Sequence, residues 1–253
     1  MSRIINGCFV ATVAFLAAGL VLAGDQKDPK AILDKAIMAT GGEENLAKQK
    51  PLTWKGKGTY HGAGEPLEFT GDWFIKPPSK QKTQFEFDFN GTKASRIQVL
   101  NGDKGWISMG GSVDEMTEEQ VVEFKEGLYA LRVASLAPLT GKEFTLAPLG
   151  EEKIGDRATV GIKVSSKGHR DIGLYFDKET GMLAKTQMRV KDILSDQEMD
   201  QESLPSDYKD AGGVKRAHKM VINRDGKKWI ELEISEFKTV DTLDESLFGK
   251  PGL

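Results

Sequence analysis

The sequence predicts a mainly β protein of the α+β class, an antiparallel meander of about ten strands, curled or closed, broken once by a long helix. Three observations carry that reading. From Leu52 onward apolar residues recur with a period of two, the signature of half-buried strands. Turn signals built from Gly, Pro, Asn and Asp punctuate the chain about every 8 to 12 residues, which favours tight antiparallel connections over a doubly wound parallel sheet. The 253 residues, 39% apolar and 29% charged, are enough to bury a core, with one domain as the default.

The N-terminus stands apart. Arg3 is followed by an uncharged run from Ile4 to Gly24, and Asp25 opens a polar region. Residues 1–23 read as a secretory signal peptide, with an apolar stretch from Cys8 to Leu22 and the small-residue exit Val21-Leu22-Ala23 before Gly24. Cleavage after Ala23 leaves residues 24–253 as a single domain. The alternative is an uncleaved anchor, since about 20 apolar residues just span a bilayer. Cys8, the single cysteine, lies at the start of the apolar run, whereas a lipoprotein signal places its acylated cysteine at the end. It reads as an ordinary residue of the signal.

Asp28-Pro29 is an N-cap with Pro at the first helical position, followed by Ile32, Leu33, Ala36 and Ile37 at helical spacing. Gly41-Gly42 stops that helix. In the strands that follow, Leu52, Trp54 and Tyr60 share one parity and Leu67, Phe69, Trp73 and Ile75 another. Pro77-Pro78 ends the second strand, and the third alternates Phe85, Phe87 and Phe89 with Gln84, Glu86 and Asp88 before the hairpin signal Asn90-Gly91. A fourth strand carries Ile97 and Val99, Asn101-Gly102-Asp103 turns it, and Gly105-Trp106-Ile107 begins a short fifth before Gly110-Gly111. Beyond the long helix, strands resume over 143–149, 158–164, 172–176, 183–190, 215–223 and 228–240, with a weakly patterned stretch reaching Tyr208.

Thr117 and Gln120 form a capping box for the long helix, which runs to about Ala137, where Pro138 and Gly141 end it. Val121, Val122, Phe124, Leu128, Tyr129, Leu131, Val133 and Leu136 cover more than the single stripe a surface helix requires. The helix is therefore expected to touch two apolar surfaces, the sheet and a lid, ligand or second subunit, unless it is simply sunk in the core. Gly127 inside it costs roughly 1 kcal/mol relative to Ala and suits a bend or a close approach.

Composition and motifs exclude more chemistry than they suggest. Lys plus Arg number 35 against 38 Asp plus Glu, a formal charge of −3 with no long basic run, which argues against a nucleic-acid partner. A mean hydropathy of −0.38 rules out a polytopic membrane protein, and one cysteine rules out a disulfide scaffold or multi-cysteine zinc site. His61, His169 and His218 lack ligand spacing, and Gly111-Ser112 lacks the second glycine of a nucleophile elbow. Gly56-Lys57-Gly58 and Gly62-Ala63-Gly64 open no helix and read as bend and hairpin glycines rather than a phosphate cradle. Glu43-Glu44, Glu118-Glu119 and Glu151-Glu152 read as solvated faces, and Asp241, Asp244 and Glu245 as caps of a last short helix. No catalytic residue, metal or cofactor is expected, and the protein is read as non-enzymatic.

The order of these elements carries a resemblance. A signal, a short helix ending in Gly-Gly, and the run Phe69-Thr-Gly-Asp-Trp-Phe-Ile-Lys-Pro-Pro-Ser-Lys-Gln-Lys82, followed by Asn101-Gly-Asp-Lys-Gly-Trp106, Leu174 to Gly181, Tyr208 to Gly213, Asp225-Gly226 and Leu247 to Pro251, resemble the LolA/LolB-like periplasmic carriers that sort outer-membrane lipoproteins. The resemblance spans most of the chain after the signal. It implies a strongly curved antiparallel sheet forming an incomplete β-barrel, covered by helices as a lid, whose concave face holds acyl chains, and no cofactor. The family associates lid-holding with an arginine on an early strand. This chain has Lys55, Lys57 and Lys76 there, and Arg96 is its first arginine after the signal, so that role is not carried over.

The candidate ligand-binding residues are Trp73, Phe85, Phe87, Phe89 and Trp106 on the strands and Phe124, Leu128 and Leu131 on the helix; the alternative is that these side chains fill one another's space as core. The expected function is a binding or carrier protein, secreted across the inner membrane into the periplasm of a Gram-negative-type bacterium. It would hold a lipid or an acylated lipoprotein and touch membranes transiently. The alternative is an envelope interaction or sensor module that uses the same fold to bind a partner protein.

Overall fold

The structure, a computed structural model, describes residues 28–252 apart from Gln49, Asn90 and Leu194. The signal segment with Cys8, and the Asn90 half of the Asn90-Gly91 turn, lie outside the described residues. Asp28 caps α1 (Pro29–Thr40), its carboxylate accepting from the Lys30 backbone N–H at 3.0 Å. Gly41, at φ 144°, ends α1, and the one-turn α2 (Glu43–Leu46) follows.

Thirteen strands come next: β1 (Leu52–Tyr60), β2 (Leu67–Lys76), β3 (Lys80–Phe89), β4 (Thr92–Asn101), β5 (Lys104–Met109), β6 (Ser112–Glu115), and, after α3 (Glu118–Ala134), β7 (Phe144–Ile154), β8 (Arg157–Ser166), β9 (Ile172–Asp177), β10 (Leu183–Lys191), β11 (Glu198–Asp210), β12 (Lys215–Arg224) and β13 (Lys227–Thr239). They form one antiparallel sheet in the order β6-β5-β4-β3-β2-β1-β13-β12-β11-β10-β9-β8-β7. Sequence neighbours pair at every step except β6 to β7, and the last strand returns to pair with the first. The curved sheet does not close: β6 and β7 are its edges, and α3 is the connection between them.

The sequence pattern undercounts the strands at two places, for physical reasons. β6 has only Val113 half-buried among its four residues. β11, the weakly patterned stretch, buries Pro205 alone, yet its backbone pairs with β10 and β12 along nearly its whole length. Both strands exist through ladder hydrogen bonds rather than a buried face, so no apolar alternation announces them.

Helices and core lie on one face of the sheet. A first cluster joins Ile32, Leu33, Ala36 and Ile37 of α1 and Tyr129 and Val133 of α3 to Ile162, Val164, Ile172, Leu174 and Phe176 of β8 and β9. A second joins Val121 and Leu128 of α3 to Met116, Ile75 and Leu100, with Leu52, Trp54, Ile107 and Phe124 at its margin. The helix thus rests on both ends of the sheet, which explains its broad apolar surface. The capping box is present: Thr117 N donates to Gln120 Oε1 at 3.0 Å and Gln120 N to Thr117 Oγ1 at 3.2 Å. The helix stops at Ala134 rather than Ala137, because Leu136 adopts φ 66° and a 3-10 turn spans Ala137–Thr140. Gly127 does not serve a close approach: it is exposed, and a Cβ placed there meets nothing within 4 Å.

The opposite face has its own cover. Asp244 caps a 3-10 turn, Glu245–Phe248, whose fully buried Phe248 belongs to the segment packed on β3 and β4. Val99, 1% exposed on the face opposite Leu100, lies in this layer.

Candidate functional site

The register of β13, β1, β2 and β3 decides which side chains meet on the helix-bearing face. Phe237, Trp54, Trp73 and Thr83 are successive cross-strand partners, as are Gly56, Gly71, Phe85 and Arg96, and then Leu232, Gly58, Phe69 and Phe87. Alternation on a pleated strand puts all of them on one surface. The result is a continuous run of rings. Phe237 stacks on Trp54 at 5.8 Å between centroids and Trp54 on Trp73 at 5.8 Å. Trp73 meets Phe85 edge-on at 5.5 Å, and Phe85 leads through Phe69 and Phe87 to Phe89. Glycine makes room for the rings: a Cβ on Gly58 would stand 2.7 Å from the Phe69 ring, and one on Gly71 2.6 Å from Trp73.

The run starts under α3 and ends in the open. Trp54 borders the second core cluster, whereas Trp73, Phe85, Phe87 and Phe89 belong to neither cluster. Trp73, Phe85 and Phe87 are half-buried, and Phe89, beside the β3–β4 turn, is 46% exposed. A cavity of about 710 Å³ lies at this end of the strands, with Gly58, Phe69, Phe87, Met220 and Leu232 among its lining together with Lys57, Glu68, Glu86, Lys93, Lys219 and Glu233, which the register turns to the other face of the sheet; Trp54, Trp73, Phe85 and Phe89 do not line it.

Three arginines join this surface from the flanking strands. The Arg216 guanidinium lies over Phe237 at 5.3 Å, and Arg224 over Trp229 at 3.4 Å. Arg96 is the cross-strand partner of Phe85. Arg224 is paired, with Asp192 at 2.9 Å and the Gln201 side chain at 3.0 Å. Arg96 Nε, Arg216 Nε and Trp54 Nε1 are buried donors without a hydrogen-bond partner. Burial lowers the pKa of Arg96 and Arg216 below the ordinary arginine value, the direction expected when a cation leaves water.

Polar contacts tie α3 to the other end of the sheet. Glu123 accepts from Arg170 Nη1 at 2.8 Å and from the Lys191 N–H at 2.9 Å. The buried Glu126 carboxylate lies 2.7 Å from His169 Nδ1 and accepts from the Arg170 N–H at 3.0 Å. Tyr129 stacks on the His169 ring at 3.8 Å. The other histidines have similarly local partners, His61 with Glu231 and His218 with the Ile234 carbonyl.

The sequence-derived candidates divide accordingly. Trp73, Phe85, Phe87 and Phe89 come together in the ring run, and Phe124 and Leu128 lie in the α3 layer that borders it. Leu131 is 47% exposed on α3, and no apolar cluster includes it. Trp106 pairs with Val99, which places it on the opposite face of the sheet from the rings. Sequence reasoning missed Trp54, Phe69 and Phe237 as members of the run and Arg96, Arg216 and Arg224 as its flanks. Arg96 was within reach of that reasoning: a two-residue turn at Asn90-Gly91 pairs Phe89 with Thr92 and so puts Ala94, Arg96 and Gln98, not Ile97 and Val99, on the face of Phe85.

This architecture recurs in solved structures. A domain named for outer membrane lipoprotein sorting from Vibrio parahaemolyticus superposes with a TM-score of 0.55 at 14% identity, covering 88% of this chain and 98% of that one. A LolA superfamily protein from Nitrosomonas europaea gives 0.56 at 13% identity, covering 88% and 97%. The chain has a LolA-like fold. A DUF1329 family protein from Desulfovibrio piger matches comparably, at 0.54 and 15% identity over 88% and 98%. No protein-family model and no curated protein sequence matches the chain. At these identities the likeness speaks for the LolA-like fold and leaves function to the site.

Proposed function

We propose that this protein is a non-enzymatic binding protein of the bacterial envelope that holds a lipid, or the acyl chains of a lipoprotein, on its aromatic face. The observation that carries the reading is the run from Trp54 through Trp73, Phe85 and Phe87 to Phe89, which leads from helix-covered core to solvent. A side-chain cluster serving stability alone is normally covered, whereas these rings pack on one another and remain partly open. Binding is hydrophobic and weakly directional, at about 25 cal/mol per Å² of apolar surface buried, less the cost of ordering the ligand. The LolA-like fold and the lipoprotein-sorting name of its Vibrio neighbour support the assignment. The N-terminal signal supports export to the periplasm, and α3 serves as the lid over the inner end of the run.

Native mass spectrometry of protein purified from a bacterial periplasm, followed by organic extraction, tests this directly. Lipid or acylated peptide at near one-to-one ratio is the expected result. Protein that carries nothing and also fails to take up an added fatty acid overturns it, and a stoichiometric protein partner would then favour the interaction module.

A further inference from the structure

The long helix does not lie evenly on the sheet. At about 3.6 residues per turn, Val122, Glu126, Tyr129 and Val133 fall at i, i+4, i+7 and i+11 and share one stripe. Tyr129 and Val133 belong to the first core cluster and, with Glu126, are at most 6% exposed, which makes this the sheet-facing stripe. Val122, on the same stripe, is 55% exposed. A helix end hanging free does not account for that, because both of its neighbours are held. Val121, 6% exposed, packs with Ile75, Leu100 and Met116 in the second cluster. The Glu123 carboxylate accepts from Arg170 Nη1 at 2.8 Å and from the Lys191 N–H at 2.9 Å. Successive side chains stand about 100° apart round a helix, so Val122 lies midway between these two anchors and points at the sheet between them. The first turns of α3 therefore bridge an open space, with one flank fixed to β2 and β4 and the other to the β8–β9 connection and the end of β10. Trp54, where the ring run meets α3, borders the cluster that holds Val121, so this space continues the aromatic face beneath the helix.

Resting on the lipid-binding reading above, we propose that the ligand enters this space as one extended alkyl chain roofed by Val122, and that the protein selects single-chain lipids over those with paired or branched chains. The two anchors set the width. They lie on opposite sides of one helix, whose diameter with side chains is about 10 Å, and an alkyl chain touching carbon at ~4 Å on each side fills most of that. A second chain beside it would have to displace Val121 from its cluster or break the Glu123 contacts. Valine suits a roof over hydrocarbon because its side chain carries no donor or acceptor that the chain would leave unpaired. Leu131, 47% exposed, lies about 180° round the helix from Val122 and faces away from the sheet.

The test is protection of a single thiol. Cys8 is the chain's one cysteine, so Cys8→Ser/Val122→Cys and Cys8→Ser/Leu131→Cys each carry one reactive group, on opposite sides of α3 and at positions of similar exposure. Both are treated with a water-soluble maleimide, alone, with hexadecanoic acid, and with its α-branched isomer hexyldecanoic acid, which divides the same carbons between two chains. With hexadecanoic acid at about ten times its dissociation constant, the Val122→Cys thiol should react about tenfold more slowly, in step with the unliganded fraction. The Leu131→Cys thiol should keep its original rate. The branched isomer should have to reach at least about tenfold higher concentration for the same protection, the scale for forcing extra atoms into a filled space. As a second measurement, Val122→Trp should weaken hexadecanoic acid uptake by at least about tenfold, read by native mass spectrometry. If hexadecanoic acid binds yet leaves the Val122→Cys rate unchanged, or slows both thiols alike, the chain does not pass under α3, and the inference fails with lipid binding left standing. Equal protection by the branched isomer overturns the single-chain selection. If neither acid binds the parent protein, the lipid-binding reading itself fails.

Discussion

The two ends of the sheet treat the same problem, an apolar face on a curved antiparallel surface, in opposite ways. Over β8 and β9 the face is aliphatic and closed: Ile162, Val164, Leu174, Phe176 and Val133 of α3 are at most 1% exposed. Over β1 to β3 it is aromatic and half open, with the Trp54 Nε1 donor buried and unpaired. Aliphatic side chains interdigitate with α1 and α3 into a dense core. Rings lying over Gly58 and Gly71 form instead a smooth surface that no helix among the described residues fully covers. The difference teaches where stability and binding are separated in one continuous sheet.

That separation breaks most visibly under truncation. Ile162→Ala should cost about 2–5 kcal/mol, the range for emptying a fully buried aliphatic site, read as a lowered urea midpoint at unchanged slope. Phe87→Asp should change stability by about 1 kcal/mol or less, as expected for a half-open position, yet reduce fatty-acid uptake at least tenfold. If Phe87→Asp proves as destabilising as Ile162→Ala, the rings are core and the contrast collapses.

Legibility in the sequence follows the same division. Strands whose apolar residues alternate, such as β1, β2 and β3, are readable from Trp54, Phe69 and Phe85 because one face meets apolar neighbours. β11 is not, because Gln201, Ser203 and the carboxylates around them give it no apolar stripe. The aromatic part of the site was readable as alternation, and its flanks were not, since an inward-pointing arginine looks like any surface arginine until strand register is known. Trp106 shows the converse error. Its ring type suggests the ligand face, but pairing with Val99 puts it on the other side of the sheet from the rings.

The long helix bridges the two ends and offers a smaller test. Gly127 is exposed in the middle of α3, and an added methyl meets nothing. Gly127→Ala should therefore stabilise the protein by about 1 kcal/mol through helix propensity alone, seen as a higher urea midpoint. If uptake also slows, α3 must flex to admit the ligand, and the glycine marks where stability yields to binding. A destabilised variant would instead mean that this position does not tolerate straight helix.

The smallest effect is expected on the face away from both regions. Lys76 and Lys80 both pair with Glu245 of the C-terminal turn and hold its carboxyl down to about 2, from an ordinary 4.5. A folded-state pKa below the unfolded one contributes stability that is present above the unfolded value and lost as pH falls through the folded one. The contribution should therefore be complete above about pH 4.5 and disappear towards about pH 2. Because Glu245 is largely exposed, solvent and salt screen the pair, so the loss is modest and shrinks with ionic strength. Glu245→Gln should flatten the acid limb of the stability curve in that window without altering ligand uptake at neutral pH. A change in uptake would tie the Phe248 layer to the aromatic face across the thickness of the sheet and would end the idea that binding belongs to one face alone.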